Sequence, residues 1–185
     1  GLCELQNLGD ETLRVELVDG LQNILPAGTP MLVQKNSSNL VDAYKWSELD
    51  AGTRLAMYAL YSRISDRAEP SESLRAHVVY GLGLDAPTVL LSSLPLRDFR
   101  LGHAVAQEDR KRGIRGAYLL ATSLVLPRGE SRRWQIVADV ARTQGQIVDI
   151  IRHLADPAAA AQAVARSVDT GSDELARTMA AADGF

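Results

Sequence analysis

The stretch NLGDETLRVELVDGLQNILP, residues 7–26, decides the fold class. Leu13, Val15 and Leu17 alternate with Arg14 and Glu16, the period-two pattern of a strand with one buried and one wet face. Gly9 and Asp10 separate this strand from an earlier apolar run, Leu2-Cys3-Glu4-Leu5. Both residue types accept the dihedrals of tight connections, so the pattern predicts an antiparallel hairpin between Leu2–Leu8 and Thr12–Asp19. The chain then begins inside a sheet. With Gly1 reading as a remnant of tag cleavage, this is the expectation for a piece of a longer protein.

Outward from that hairpin, short apolar runs punctuated by Gly, Pro, Asn and Asp continue to about residue 140. They predict further strands at Met31–Lys35, Leu40–Trp46, Arg54–Ser62, Leu74–Leu82, Thr88–Ser92, Gly116–Leu126 and Arg132–Val140. This spacing indicates a sandwich rather than alternating βα units. Ala117-Tyr118-Leu119-Leu120-Ala121 is apolar on both faces and fits a central strand covered on both sides. Near Ala141 the period changes: Val140, Ile147, Ile150, Ile151 and Leu154 follow helical spacing. Asp156-Pro157 supplies an N-cap and a proline at the first helical position for the run Ala158–Val168. Ser172-Asp173-Glu174 marks the start of a third helix. The expected organisation is a mainly β, antiparallel β-sandwich domain over 1–140, truncated on its N-terminal side, followed by a helical segment over 141–185.

Composition restricts the function classes. The chain has 185 residues, 46% hydrophobic and 23% charged, with a formal charge of −3, and its pI is about 5.6. Nucleic-acid binding is not expected without a concentrated basic face. The single cysteine, Cys3, forms no internal disulfide and reads as a small buried hydrophobe, in keeping with a cytoplasmic setting. No apolar run approaches membrane-spanning length, so no membrane partner is expected. His77, His103 and His153 lie far apart and lack paired ligands, which argues against zinc; no cofactor is called for. Gly81-Leu82-Gly83 lacks the third glycine of a phosphate cradle and reads as a turn.

Four candidate regions remain. Tyr44 and Trp46 stand two residues apart, on one face if the segment is extended, where aromatic rings stack equally well on a sugar or on a packing partner. Asp66, Arg67, Glu69 and Glu72 crowd the connection between two strands; they suit either an ordered loop or a contact to a sugar or partner domain. Arg110, Lys111, Arg112 and Arg115 form a basic loop, a solvated face or a contact for an anion or domain. Trp134 alternates into an apolar face as core.

The series ELQNLGDETLRVELVDGLQNILP, SNLVDAYKWSELD, DRAEPSESLRAHVVYGLGL, RGIRGAYLL, WQIVADV and AADGF resembles the N-terminal part of the cellobiose-phosphorylase-like carbohydrate-active enzymes. The resemblance implies a β-sandwich of the galactose-mutarotase type (a supersandwich), helical linker segments, and a catalytic α/α toroid of the same parent chain beyond Phe185. It further implies phosphorolysis or hydrolysis of a glycosidic bond by the whole protein, with the acid in the toroid. No catalytic residue transfers to this chain. The expectation is a non-catalytic module that supports the toroid and contacts carbohydrate, with Tyr44, Trp46, Asp66, Arg67, Glu69 and Glu72 as contact residues, and a homodimer paired through Leu2–Leu8. Two alternatives stand beside it. One is an independent carbohydrate-binding module; the other is a mutarotase-like epimerase in which His77 or His103 meets a Glu of the 66–72 loop.

Overall fold

The computed structural model describes residues 1–62 and 74–182. Among these the chain is mainly antiparallel β structure followed by helix. The elements are β1 (Leu2–Gln6), β2 (Leu13–Ile24), α1 (Met31–Asn36), α2 (Ser38–Ala43), β3 (Lys45–Leu49), β4 (Ala56–Leu60) and β5 (Arg75–Leu82). They continue with β6 (Thr88–Leu90), α3 (Leu96–Arg100), β7 (Arg110–Arg112), β8 (Gly116–Leu126), β9 (Ser131–Thr143), α4 (Gln144–Leu154) and α5 (Pro157–Ala182). A six-stranded sheet of order β1-β9-β5-β4-β3-β7 faces a three-stranded sheet of order β2-β8-β6.

Three layers of apolar side chains follow from the alternation of the strands. Between the sheets, Ala56, Tyr58, Val79, Trp134 and Ile136 of the large sheet pack on Val89, Tyr118 and Leu120 of the small one. Val78, next to Val79, points the other way and meets Ile147, Leu154 and Ala160 of α4 and α5. On the outer side of the small sheet, Leu90, Ala117 and Leu119 lie beneath Leu96 and Val105. The doubly apolar β8 is thus central and covered on both faces, as its sequence indicates. Gly116, at its start, sits where a Cβ would approach the Tyr58 ring to 2.6 Å.

The expected hairpin between the first two strands does not form. β1 pairs with β9 in the large sheet and β2 with β8 in the small one. The reason lies in Asn7, which is 1% exposed at the corner where the chain crosses between sheets. Its Nδ2 donates to Glu11 O at 2.7 Å and to Leu126 O at 2.9 Å, and its Oδ1 accepts from Gly9 N at 2.9 Å. Its backbone bonds Glu130 O and Gly129 N, which belong to the β8–β9 connection crossing at the same corner. Gly9 therefore serves a sheet-to-sheet crossing rather than a hairpin turn.

Other expectations are also corrected. Met31–Lys35 and the first residues of Leu40–Trp46 are helical, because each six-residue segment buries one side chain at most (Val41), too few to hold a strand in a sheet. Residues 110–112, read as loop, form an edge strand beside β3; a short edge rich in cations discourages further pairing. Gly81 and Leu82 still belong to β5, and the turn comes at Gly83, whose φ is +95°. β9 runs through Thr143, past Val140, and the helix starts on a capping box between Thr143 and Gln146. Ser172 opens no third helix: its hydroxyl donates to Val168 O within the continuous α5. Asp156 caps α5 as expected, Oδ1 accepting from Ala158 N and Ala159 N. From residue 165 to 182 every residue of α5 is exposed.

Candidate functional site

α4 and α5 cover the outer face of the large sheet over β5 and, among the described residues, do not reach its β3–β7 end. The residues that face solvent there are set by strand register. Trp46 of β3 stands opposite Ala59 of β4 on one side and Arg112 of β7 on the other. Two residues along, Glu48 stands opposite Arg110. The ladder extends one step past β4, with Tyr61 N donating to Tyr44 O at 2.8 Å. Tyr44, Trp46, Tyr61 and Arg112, drawn from three stretches of the chain, thereby meet.

They line a hollow of about 320 Å³ closed on one side by Leu40 and Ala43 of α2. The Trp46 and Tyr61 ring centroids are 6.4 Å apart at an interplanar angle of 46°. The guanidinium carbons of Arg112 and Arg110 lie 5.2 and 5.6 Å from the indole centroid, within cation–π range. Trp46 is half-buried, its Nε1 buried without an acceptor among the described residues. Tyr61 is 71% exposed, so one face of the aromatic pair is open to solvent.

Below the rings the site is built on an ammonium. Lys45 is 2% exposed, and its Nζ donates to Gln34 Oε1 at 2.8 Å and to Asp42 Oδ1 at 2.6 Å, fastening α1 and α2 to β3. On the β7 side, Arg110 pairs with Glu48, and Lys111 pairs at 2.7 Å with Glu108, whose buried carboxylate also accepts from Leu91 N and Ser92 N. Arg112 has no carboxylate partner among the described residues. Solvent-open aromatic faces beside a forked donor are what a sugar needs: an apolar face to stack on and hydroxyls to receive N–H groups.

Of the residues singled out in the sequence, Tyr44, Trp46 and Arg112 of the basic cluster share this hollow, although Tyr44 is not extended: it ends α2 with φ −94° and ψ −5°. Asp66, Arg67, Glu69 and Glu72 lie outside the described residues. Tyr61, which the sequence does not single out, and Arg112 join the aromatic residues through cross-strand pairing, which no local pattern announces. The other notable side chains are elsewhere. His77 Nδ1 accepts from Ala141 N at 2.8 Å, and burial holds its pKa below the ordinary value of 6.5. His103 lines a separate hollow of about 480 Å³ on the outer face of the small sheet, with Glu16, Thr88 and Ser123. Cys3 packs against the inter-sheet core; burial, then the neighbouring Asp19, pushes its thiol pKa up. Trp134 is core, its Nε1 donating to Asp19 Oδ2 at 2.7 Å. A larger cleft of about 690 Å³ where α5 leaves the sheet is lined mostly by aliphatic side chains, and its Asp139 and Arg142 pair with each other. Among the described residues no cluster of three or more His, Cys, Asp or Glu could hold a metal, and no helix is long and apolar enough to cross a membrane. Neither any protein-family model nor any curated protein matches the chain.

Proposed function

We propose that this protein is the non-catalytic β-sandwich module of a cytoplasmic glycoside phosphorylase- or hydrolase-like protein, supporting a catalytic toroid of the same parent chain and contacting sugar through the Trp46 hollow. The observation that carries this reading is the convergence of Tyr44, Trp46, Tyr61 and Arg112 on a part of the outer sheet face that, among the described residues, α4 and α5 do not cover. The openness of the rings also suits an independent carbohydrate-binding module, which differs in predicting affinity by the isolated chain. The epimerase reading has less support, since His77 already accepts a backbone hydrogen bond through Nδ1. The homodimer proposal rests on β1, an edge strand paired on one side only with β9; a strictly monomeric mass in light scattering at high concentration argues against it.

Titration with a panel of oligosaccharides, read by calorimetry and by Trp46 emission, tests the sugar contact. Saturable binding is expected, weakened about fivefold in Tyr61→Ala, the loss of one stacking face being worth about 1 kcal/mol. Tyr61 is exposed, so this variant keeps the fold. A panel that produces neither heat nor a change in emission refutes the sugar contact.

A further inference from the structure

Among the described residues, the carboxylates beside the hollow are already engaged, while the Arg112 guanidinium is not. Glu48 is held by Arg110, Glu108 by Lys111 and Asp42 by Lys45. Arg112 lies nearest the indole, at 5.2 Å, lines the hollow, and has no carboxylate partner among the described residues. A guanidinium held over an aromatic ring keeps its N–H edge free while its plane is fixed, the arrangement that receives a carboxylate or phosphate through two parallel hydrogen bonds. A site for neutral hydroxyls has no need of that charge; an amide at position 112 would donate as well. The chain as a whole is anionic at −3, so a positive group beside an open aromatic face is a local feature and not a consequence of composition.

Building on the sugar-contact reading, we infer that the Trp46 hollow selects an acidic saccharide, a sugar bearing a carboxylate or a phosphate, with Arg112 receiving the anionic group and Tyr61 and Trp46 taking the apolar face of the ring. Arg112 is the specificity residue of the site; the aromatic pair supplies contact that a neutral sugar shares.

The test uses the full chain and four probes at low salt: a neutral gluco-oligosaccharide, a uronate oligosaccharide of the same length, a sugar phosphate, and inorganic phosphate. An acidic sugar is expected to bind about tenfold tighter than the neutral one, the difference one charge-assisted pair provides. The preference collapses in Arg112→Gln, survives in part in Arg112→Lys, and weakens as salt rises. Arg112 is exposed on an edge strand, and unchanged melting of the variants confirms that the fold is intact. Whether the uronate or the sugar phosphate binds tighter identifies the anionic group. Equal affinity for neutral and acidic sugars overturns the inference and leaves the sugar contact standing. Inorganic phosphate binding as tightly as the sugar phosphate, with the uronate no tighter than the neutral sugar, overturns it by showing an anion site alone. Absence of binding by any sugar removes both readings.

Discussion

Replacing Asn7 by alanine is expected to destabilise the fold by about 3 kcal/mol, because one side chain holds both crossings between the sheets. Three hydrogen bonds disappear: two from Nδ2, to Glu11 O and Leu126 O, and one to Oδ1 from Gly9 N. Each is worth about 1 kcal/mol net, and Leu126 O, in a buried setting, is left without this donor. For a chain of this size about 1 kcal/mol shifts the melting temperature by about 2–4 °C, so the expected loss is about 6–12 °C. Urea unfolding followed by Trp134 emission measures the free energy, and calorimetry the melting point. Asn7→Asp separates hydrogen bonding from packing: it keeps the acceptor for Gly9 N but turns an oxygen toward two carbonyls. At neutral pH it is expected to be less stable than Asn7→Ala, and to recover as acid protonates the new carboxyl and restores a donor. An Asn7→Ala protein melting within about 2 °C of the wild type, well under the expected shift, would show that Asn7 does not hold the two crossings.

Further outcomes follow from the same geometry. Gly116→Ala places a methyl 2.6 Å from the ring of Tyr58, which is fully buried and anchored by its hydroxyl to Ala117 O at 2.6 Å; a loss of about 2 kcal/mol or more is expected in urea titrations. Lys45→Met leaves Asp42 without its ammonium and frees α1 from β3, with an expected cost of about 2 kcal/mol by the same assay; an unchanged midpoint would place the Lys45 pair among ion pairs of no net worth. His77 has a folded pKa below its unfolded value, so the unfolded chain takes up the proton more readily; stability is expected to fall as pH drops through 6.5, and this slope should flatten in His77→Asn, which retains an acceptor for Ala141 N. Leu175→Glu on the exposed part of α5 is expected to change stability by less than about 0.5 kcal/mol.

The sequence pattern was most informative where one face of a strand is committed to a core. The alternation of β2 and the unbroken apolar run of β8 correspond to one partly solvated edge strand and one central strand. It misled where burial is slight: α1 and α2 bury a single residue between them, and a six-residue apolar run has no length by which to choose between helix and strand. The Gly9-Asp10 signal marked a real turning point, but turn chemistry does not say which sheet receives the next strand. The Thr143–Gln146 capping box was legible as Thr-x-x-Gln and would have moved the helix start to its true place. The site was half legible for a similar reason. Tyr44 and Trp46 are neighbours in the chain, whereas Arg112 and Tyr61 arrive through pairings of β3 with β7 and with the end of β4, separations that only the folded register closes.

The pairing of β1 with β9 has a further consequence during synthesis. β1 is completed by a strand made much later in the chain: Leu2 through Gln6 wait for Ser131 through Gln135. At about 5–20 residues per second the wait lasts on the order of ten seconds, during which β1 lacks its β9 partner. Asn7 cannot close its corner in that interval either, since Leu126, Gly129 and Glu130 have yet to appear. The β4–β5 pair and the β3–β4 pair can assemble earlier, so the nascent chain has the opportunity to build this sheet from the middle and add β1 late.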